Sequence, residues 1–332
     1  MIWIGIALGA LVATVAISYL VEAARSQPTA PSQLGWAPTV PVRYVEVGGV
    51  RLRYIATGEG PALVLLHTLR TQLDMFQKII PALAMRFRVY ALDYPGHGYS
   101  DIPRATYTAD FFVNTVATAL DRLDVEDAVV VGESIGGSIA LLLAARRNPR
   151  VRRVVAINPY DYDGGRGIRR SSALANLLFG LSTVPVLGAT VNRLRRYPVV
   201  KRVLEGGVYR KGALPEALAR EMYLVSNRRG YDRAFGSLVR HWGTWEAARA
   251  EYAGLDRPTL LLYGDHDWSR GDERAANARA IPGAELRVIK DAGHFLSLDA
   301  PEETVAAILG WAQVPVSGRE SRRSEGTTLK GR

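Results

Sequence analysis

The stretch VVVGESIGGS, residues 129–138, constrains this chain more than any other. Val129, Val130 and Val131 are β-branched and consecutive, the composition of a strand buried on both faces. From Ser134 onward, SIGGSIALLLAARR sets Ile135, Ile139, Leu142 and Leu143 at helical spacing and ends on Arg146 and Arg147. Strand and helix are therefore joined by a very tight turn with Ser134 at its apex. Gly132 and Gly136 flank it, where a Cβ would collide. A serine lifted above a sheet in this way is presented for nucleophilic attack. The N–H of Ile135, near the helix N-terminus, faces a developing oxyanion.

The same strand-then-helix rhythm runs through the chain. VRYVEVGGVRLRYIAT (42–57) alternates around Gly48-Gly49 and predicts a β-hairpin. ALVLLH (62–67), FRVYALD (87–93), DAVVVG (127–132), RRVVAINP (152–159), TLLLYGD (259–265) and AELRVIK (284–290) predict strands. Helices are expected near 71–85, 108–123, after Ser134, near 271–281 and over 301–313. Apolar strands alternating with helices imply an α/β fold, a mostly parallel sheet covered on both faces. The core is divided into residues 42–162 and 251–315 by an insertion, 163–250. That insertion holds sixteen Lys and Arg against six Asp and Glu, the whole of the chain's formal net charge of +10.

Both ends read differently from the core. Residues 1–21, MIWIGIALGALVATVAISYLV, carry no charged side chain. At about 1.5 Å per residue they reach roughly 30 Å, the thickness of a bilayer core. The run has no basic n-region and is longer than a signal-peptide core, so it is read as a retained single-pass transmembrane anchor rather than a cleaved signal. Arg25 on its flank leans the catalytic domain toward the cytoplasmic side. Residues 22–41 are proline-rich and expected to be an extended, poorly packed linker, and 316–332 a disordered basic tail. With no cysteine there is neither a disulfide nor a thiolate metal site. No metal-ligand spacing or phosphate loop stands out, so no cofactor is implied. The basic insertion lacks the interleaved aromatic platform of a nucleic-acid binder.

A serine nucleophile needs a base, and the base needs an acid to fix its tautomer. LLLYGDHDW places Asp265 and Asp267 just past a strand, and DAGHFLSLDAPEE places His294 before the last helix. The order Ser, Asp, His is that of a strand-borne triad. Together with LDYPGHGYSD (92–101), GDHD and AGHF, the tight turn at Ser134, a nucleophile elbow, makes residues 42–313 resemble the α/β-hydrolases, in particular the lidded esterase, C–C hydrolase and haloperoxidase-like group.

The resemblance selects Asp267 over Asp265 as the acid, keeps Asp161 as a reserve, and makes 163–250 the lid. It also implies that the residue after a His-Gly pair donates the second oxyanion N–H. Here the pair is His67-Thr68, so Leu69 takes the donor position, and Thr68 cannot visit positive φ as glycine does. Either the loop is rebuilt, with the Thr68 hydroxyl assisting, or the hole is weaker. Arg70, Gln72 and Glu133 are further candidates to line the pocket. Serine at the elbow argues against the epoxide hydrolases and haloalkane dehalogenases of the superfamily, which use aspartate there.

The expected function is membrane-anchored hydrolysis of an apolar or lipid-like ester. Ser134, Asp267 and His294 are the triad, and Leu69 and Ile135 the oxyanion donors. The alternatives are C–C bond hydrolysis of a diketone-like compound and a silent binding protein on a hydrolase scaffold. The expected partners are the small-molecule substrate and the membrane, reached through residues 1–21 and the basic lid.

Overall fold

The structure, a computed structural model, describes residues 1–312. The tail expected over 316–332 lies outside the described residues. Eight strands form one sheet: β1 Arg43–Val47, β2 Val50–Thr57, β3 Ala62–Leu66, β4 Arg88–Leu92, β5 Ala128–Glu133, β6 Val151–Ile157, β7 Thr259–Gly264 and β8 Glu285–Ile289. They lie in the order β8-β7-β6-β5-β3-β4-β2-β1. β1 and β2 pair antiparallel, as do β2 and β4, and every other neighbouring pair is parallel. The hairpin turn uses Gly48 and Gly49 at φ 57° and 79°, the two positive dihedrals a two-residue turn demands. The central strands are buried along their length, which is why they read as unbroken apolar runs.

Helices flank this sheet and build the insertion. The N-terminal α1 is Ile2–Ala23; α2 Ala109–Arg122 and α3 Ile135–Ala145 cover the sheet. The insertion between β6 and β7 is helical: α4 Ala173–Ser182, α5 Leu187–Arg193, α6 Tyr197–Glu205, α7 Glu216–Val225 and α8 Tyr231–Arg240. After β7 come α9 Gly271–Ala280 and α10 Pro301–Ala312. α2 begins where Thr108 accepts from the Phe111 N–H, an N-cap that satisfies one of the helix's free donors.

Two expectations fail, each for a tertiary reason. The helix expected near 71–85 is instead a 3-10 turn, Leu73–Phe76, and one short helix, Ile80–Leu83. A buried ion cluster takes the early residues: Asp93 accepts from the Leu73 N–H at 2.7 Å, and Arg53 bridges Asp93 and Asp74 at 2.5 Å each. Pro81 falls at the start of the helical piece, where its missing N–H is tolerated.

The segment 22–41 is not a loose linker. Leu34 is buried, the Trp36 indole donates to Asp74 at 2.8 Å, and Gln33–Leu34 pairs with Ala37–Pro41. Upstream, Glu22 pairs with Arg195 at 3.0 Å, and Arg25 donates to Asn227 and to the carbonyls of Arg193 and Arg195. The end of α1 is thus docked on the insertion, while most of its apolar length is exposed.

Candidate active site

Ser134 stands at φ 59° and ψ −119°, between the end of β5 and the start of α3. That strained backbone is held from both sides. Its N–H donates to the Ile157 carbonyl at 2.8 Å, and its carbonyl accepts from Ser138 and Tyr160. The glycines are obligatory. A Cβ on Gly132 would lie 1.9 Å from the Gly136 carbonyl oxygen, and one on Gly136 would lie 2.0 Å from that of Leu66.

His294 and Asp267 are buried, and His294 Nδ1 lies 2.5 Å from Asp267 Oδ1. Burial opposes charge on Asp267. The His294 ring and the donors of Ser269 outweigh it and hold the carboxyl below its ordinary range. The Ser269 N–H donates to Asp267 Oδ2 at 3.0 Å, and its hydroxyl donates to the same oxygen. With Nδ1 tied to the Asp267 carboxylate, Nε2 has no partner among the described residues. Asp161, the reserve acid, accepts instead from Tyr252 and Asn277, each at 2.8 Å. Ser134 and His294 line one narrow cavity together with Thr68, Leu69 and Arg70.

The loop that carries His294 is fixed by residues the sequence reading missed. Asn158 donates to the His294 carbonyl at 2.8 Å, and Asp299 accepts from the Gly293 N–H at 2.6 Å. Trp268 stacks on the His294 ring at 3.7 Å between centroids, and its indole donates to Gly206 of the insertion. The only local signal for these residues is adjacency: Trp268 follows Asp267, and Asp299 lies five residues past His294.

After β3 the loop is rebuilt. Thr68 keeps an ordinary dihedral, and Arg70 takes the left-handed one, at φ 61°. The Thr68 hydroxyl donates to that of Thr71 at 3.1 Å, so it is engaged within the loop. His67 lies beneath, its Nδ1 bonded to the Thr68 carbonyl; burial pushes its pKa down to about 4, which keeps the ring neutral. The N–H groups of Leu69 and Ile135 make no intramolecular hydrogen bond among the described residues. Gln72 and Glu133 do not line the cavity. Gln72 donates to Asp74, and the buried Glu133 accepts from the Ser297 N–H and hydroxyl at 3.2 and 2.6 Å. Burial raises the Glu133 pKa to about 7.

Away from this cavity, exposed Asp265, His266 and Asp291 bring potential metal-ligand atoms within 4.8 Å of one another. Asp265 is already used as acceptor for the Ala292 N–H.

A family model described as alpha/beta hydrolase fold matches residues 61–301. The chain belongs to the α/β-hydrolase family. The 2-hydroxymuconate semialdehyde hydrolase of Pseudomonas sp. (strain CF600) is 28% identical over 267 residues, 77% of this chain and 88% of that protein. The magnesium-chelatase 30 kDa subunit of Rhodobacter capsulatus is 32% identical over 283 residues, 80% of this chain and 93% of that protein. Cfl2 from Burkholderia cenocepacia shares the fold with a TM-score of 0.74 at 22% identity, over 86% of this chain and 99% of that one. Hydrolases, esterases, lactonases and dehalogenases all stand among the α/β-hydrolase relatives and fold neighbours. This α/β-hydrolase is an enzyme, and a small-molecule substrate is consistent with its hydrolase relatives.

Proposed function

We propose that this α/β-hydrolase is a membrane-anchored serine esterase acting on apolar carboxylic esters. One observation carries the reading: His294 Nδ1 is bonded to a buried carboxylate while Nε2 is left free, in the cavity that also holds Ser134. In this reading His294 Nε2 takes the Ser134 hydroxyl proton as the oxygen attacks the ester carbonyl. The N–H groups of Leu69 and Ile135 stabilise the tetrahedral oxyanion. Collapse breaks the ester C–O bond, and His294 returns the proton to the departing alcohol. Water, deprotonated by His294, then releases the acid and restores Ser134.

The helical insertion, residues 163–250, acts as a lid. Ile168, Val200, Val203 and Leu204 from it line the cavity and exclude water from the acyl group. α1 is the anchor, 22 residues long and apolar enough to span a bilayer. The test is labelling by a fluorophosphonate probe, lost in Ser134→Ala, together with turnover of nitrophenyl esters of graded chain length. Absence of both in the folded protein overturns the assignment. A second reading, C–C bond hydrolysis, is favoured by the relative named 2-hydroxymuconate semialdehyde hydrolase. A ring-cleavage diketone turned over faster than every ester decides for it.

A further inference from the structure

The polar groups of the catalytic cavity are unbalanced. Apart from Ser134 and His294, the wall is apolar except for Thr68, Tyr160 and Arg70. Thr68 is spent on Thr71. Tyr160 is buried, its hydroxyl has no partner among the described residues, and burial raises its pKa, so it stays a neutral O–H donor. Arg70 is the single fixed charge on the wall. Its guanidinium lies 4.3 Å from the centroid of the Phe235 ring and makes no hydrogen bond or ion pair among the described residues. The loop holds it there in the left-handed conformation, which a non-glycine residue adopts at a cost.

Arg70 also joins two spaces. A second cavity, between the insertion helices, shares Arg70, Val200 and Val203 with the first and continues along Leu178, Phe179 and Phe235. No carboxylate lines either cavity. The other arginine there, Arg195, is bound to Glu22. Arg70 is therefore an uncompensated cation at the junction of two apolar chambers, one of which holds the nucleophile. A half-buried cation on an otherwise apolar wall gains most from an anion that enters with the substrate, and its planar fork fits a carboxylate.

We propose that Arg70, with the Tyr160 hydroxyl, forms a carboxylate subsite, and that the substrate is an ester bearing a free carboxylate on its acyl part with apolar chain around it. The proposal rests on the esterase reading of Ser134. It makes Arg70 a specificity residue, not a member of the proton-transfer machinery.

The experiment compares mono-p-nitrophenyl esters of succinic, glutaric, adipic and suberic acids with the neutral p-nitrophenyl alkanoates of matched length, on the full chain in detergent. The wild-type protein is expected to favour at least one diacid monoester over its neutral match by about tenfold in kcat/KM, chiefly through KM, as a charge-assisted bond made equally in ground and transition state requires. Arg70→Gln should collapse that ratio toward one, Arg70→Lys should restore part of it, and Tyr160→Phe should lower it less. A wild-type protein with no preference overturns the subsite. So does an Arg70→Gln protein that loses kcat equally on both substrate types, which would assign Arg70 to the oxyanion. Fluorophosphonate labelling of each variant reports an intact Ser134. If the wild-type protein itself is not labelled and turns over neither series, the esterase reading has failed instead of the subsite.

Discussion

The two walls of the cavity that holds Ser134 and His294 are built by different physics. The wall from the sheet is rigid by exclusion. Gly132 and Gly136 leave no room for a methyl group, and Asn158 and Asp299 fix the backbone of the His294 loop. The wall from the insertion is apolar and helical, contributing Ile168, Val200, Val203 and Leu204. It is tied to the rest through long-range ion pairs such as Arg170–Glu273, Arg210–Glu303 and Glu22–Arg195. Around Ser134 the first wall has no room for change, and its loop after β3 carries Arg70, the proposed specificity residue. The second can vary in its apolar lining without touching Ser134 or His294, which suits it to shaping the room left for the apolar part of a substrate.

The contrast is broken most sharply at the proposed triad. Ser134→Ala and His294→Ala are each expected to abolish turnover, on the order of 10⁶-fold, because the members act as a unit. Their circular dichroism should match the wild type. Retention of more than about a tenth of wild-type activity in either would mean that the sheet wall does not carry the reaction.

Asp267 and Asp161 form the next test. Both are buried carboxylates at the ends of neighbouring strands, but only Asp267 touches His294. Asp267→Asn should lower kcat by roughly 10⁴ by favouring the wrong tautomer. Asp161→Asn disturbs the bonds to Tyr252 and Asn277 and should show itself in melting temperature, with kcat within about tenfold. Steady-state kinetics and thermal melts on both variants separate the roles, and the reverse pattern makes Asp161 the acid.

How much of each wall was legible depends on the same physics. The sheet wall is local: strand, apex serine and glycines lie within one short segment, so its geometry is written in adjacent residues. His294 and Asp267 could be ordered by the strands that precede them. A rebuilt loop after β3 was one of the two readings of Thr68, but its form was not legible, because the left-handed dihedral at Arg70 goes with Thr71 and Met75 folding back onto Thr68. Residues 71–85 carry a helical apolar pattern, yet Arg53, distant in sequence, captures Asp74. The proline-rich segment 22–41 promised little packing, and its partners Asp74 and Asn227 lie on other elements. Pairings of this kind leave no periodicity to read.

Glu133 probes the sheet wall through pH. In the fold it keeps its proton up to about pH 7, whereas its ordinary value is 4.5. Its contribution to stability is therefore complete below about pH 4.5 and is lost as pH rises through 7. Glu133→Gln cannot ionise and keeps an amide against Ser297. The variant should equal the wild type near pH 5 and exceed it at pH 8 by about 2–3 kcal/mol, a rise of several degrees in melting temperature. Parallel melting curves across that range would show Glu133 to be unshifted.

Thr68 should matter less. Its hydroxyl is committed to Thr71, so Thr68→Val is expected to cost less than about tenfold in kcat. Losing an oxyanion donor costs about 10²–10³. A loss of that size would make the hydroxyl part of the hole.

The smallest expected effect tests whether the insertion meets a membrane. The sequence assigned that contact to the basic insertion as a whole, but within it Arg193 is paired with Asp232 and Arg195 with Glu22. Exposed Arg229 and Arg233, free of ion pairs among the described residues, line a cleft with Tyr19 and Arg25 where α1 docks. Leu177, Val184 and Val186 are exposed on the same insertion. If α1 spans a bilayer, its docked end holds that cleft at the headgroups, where each basic side chain contributes about 1 kcal/mol and the effect falls off within a Debye length. A chain lacking residues 1–18 keeps Tyr19, Glu22 and Arg25 in place and removes most of the spanning segment. It should bind anionic vesicles in a salt-sensitive way and neutral ones weakly. Arg229→Gln and Arg233→Gln should each weaken binding about fivefold, while Arg196→Gln does so less. Equal binding to both kinds of vesicle, or to neither, would leave the basic insertion as a solvated face and confine membrane contact to α1.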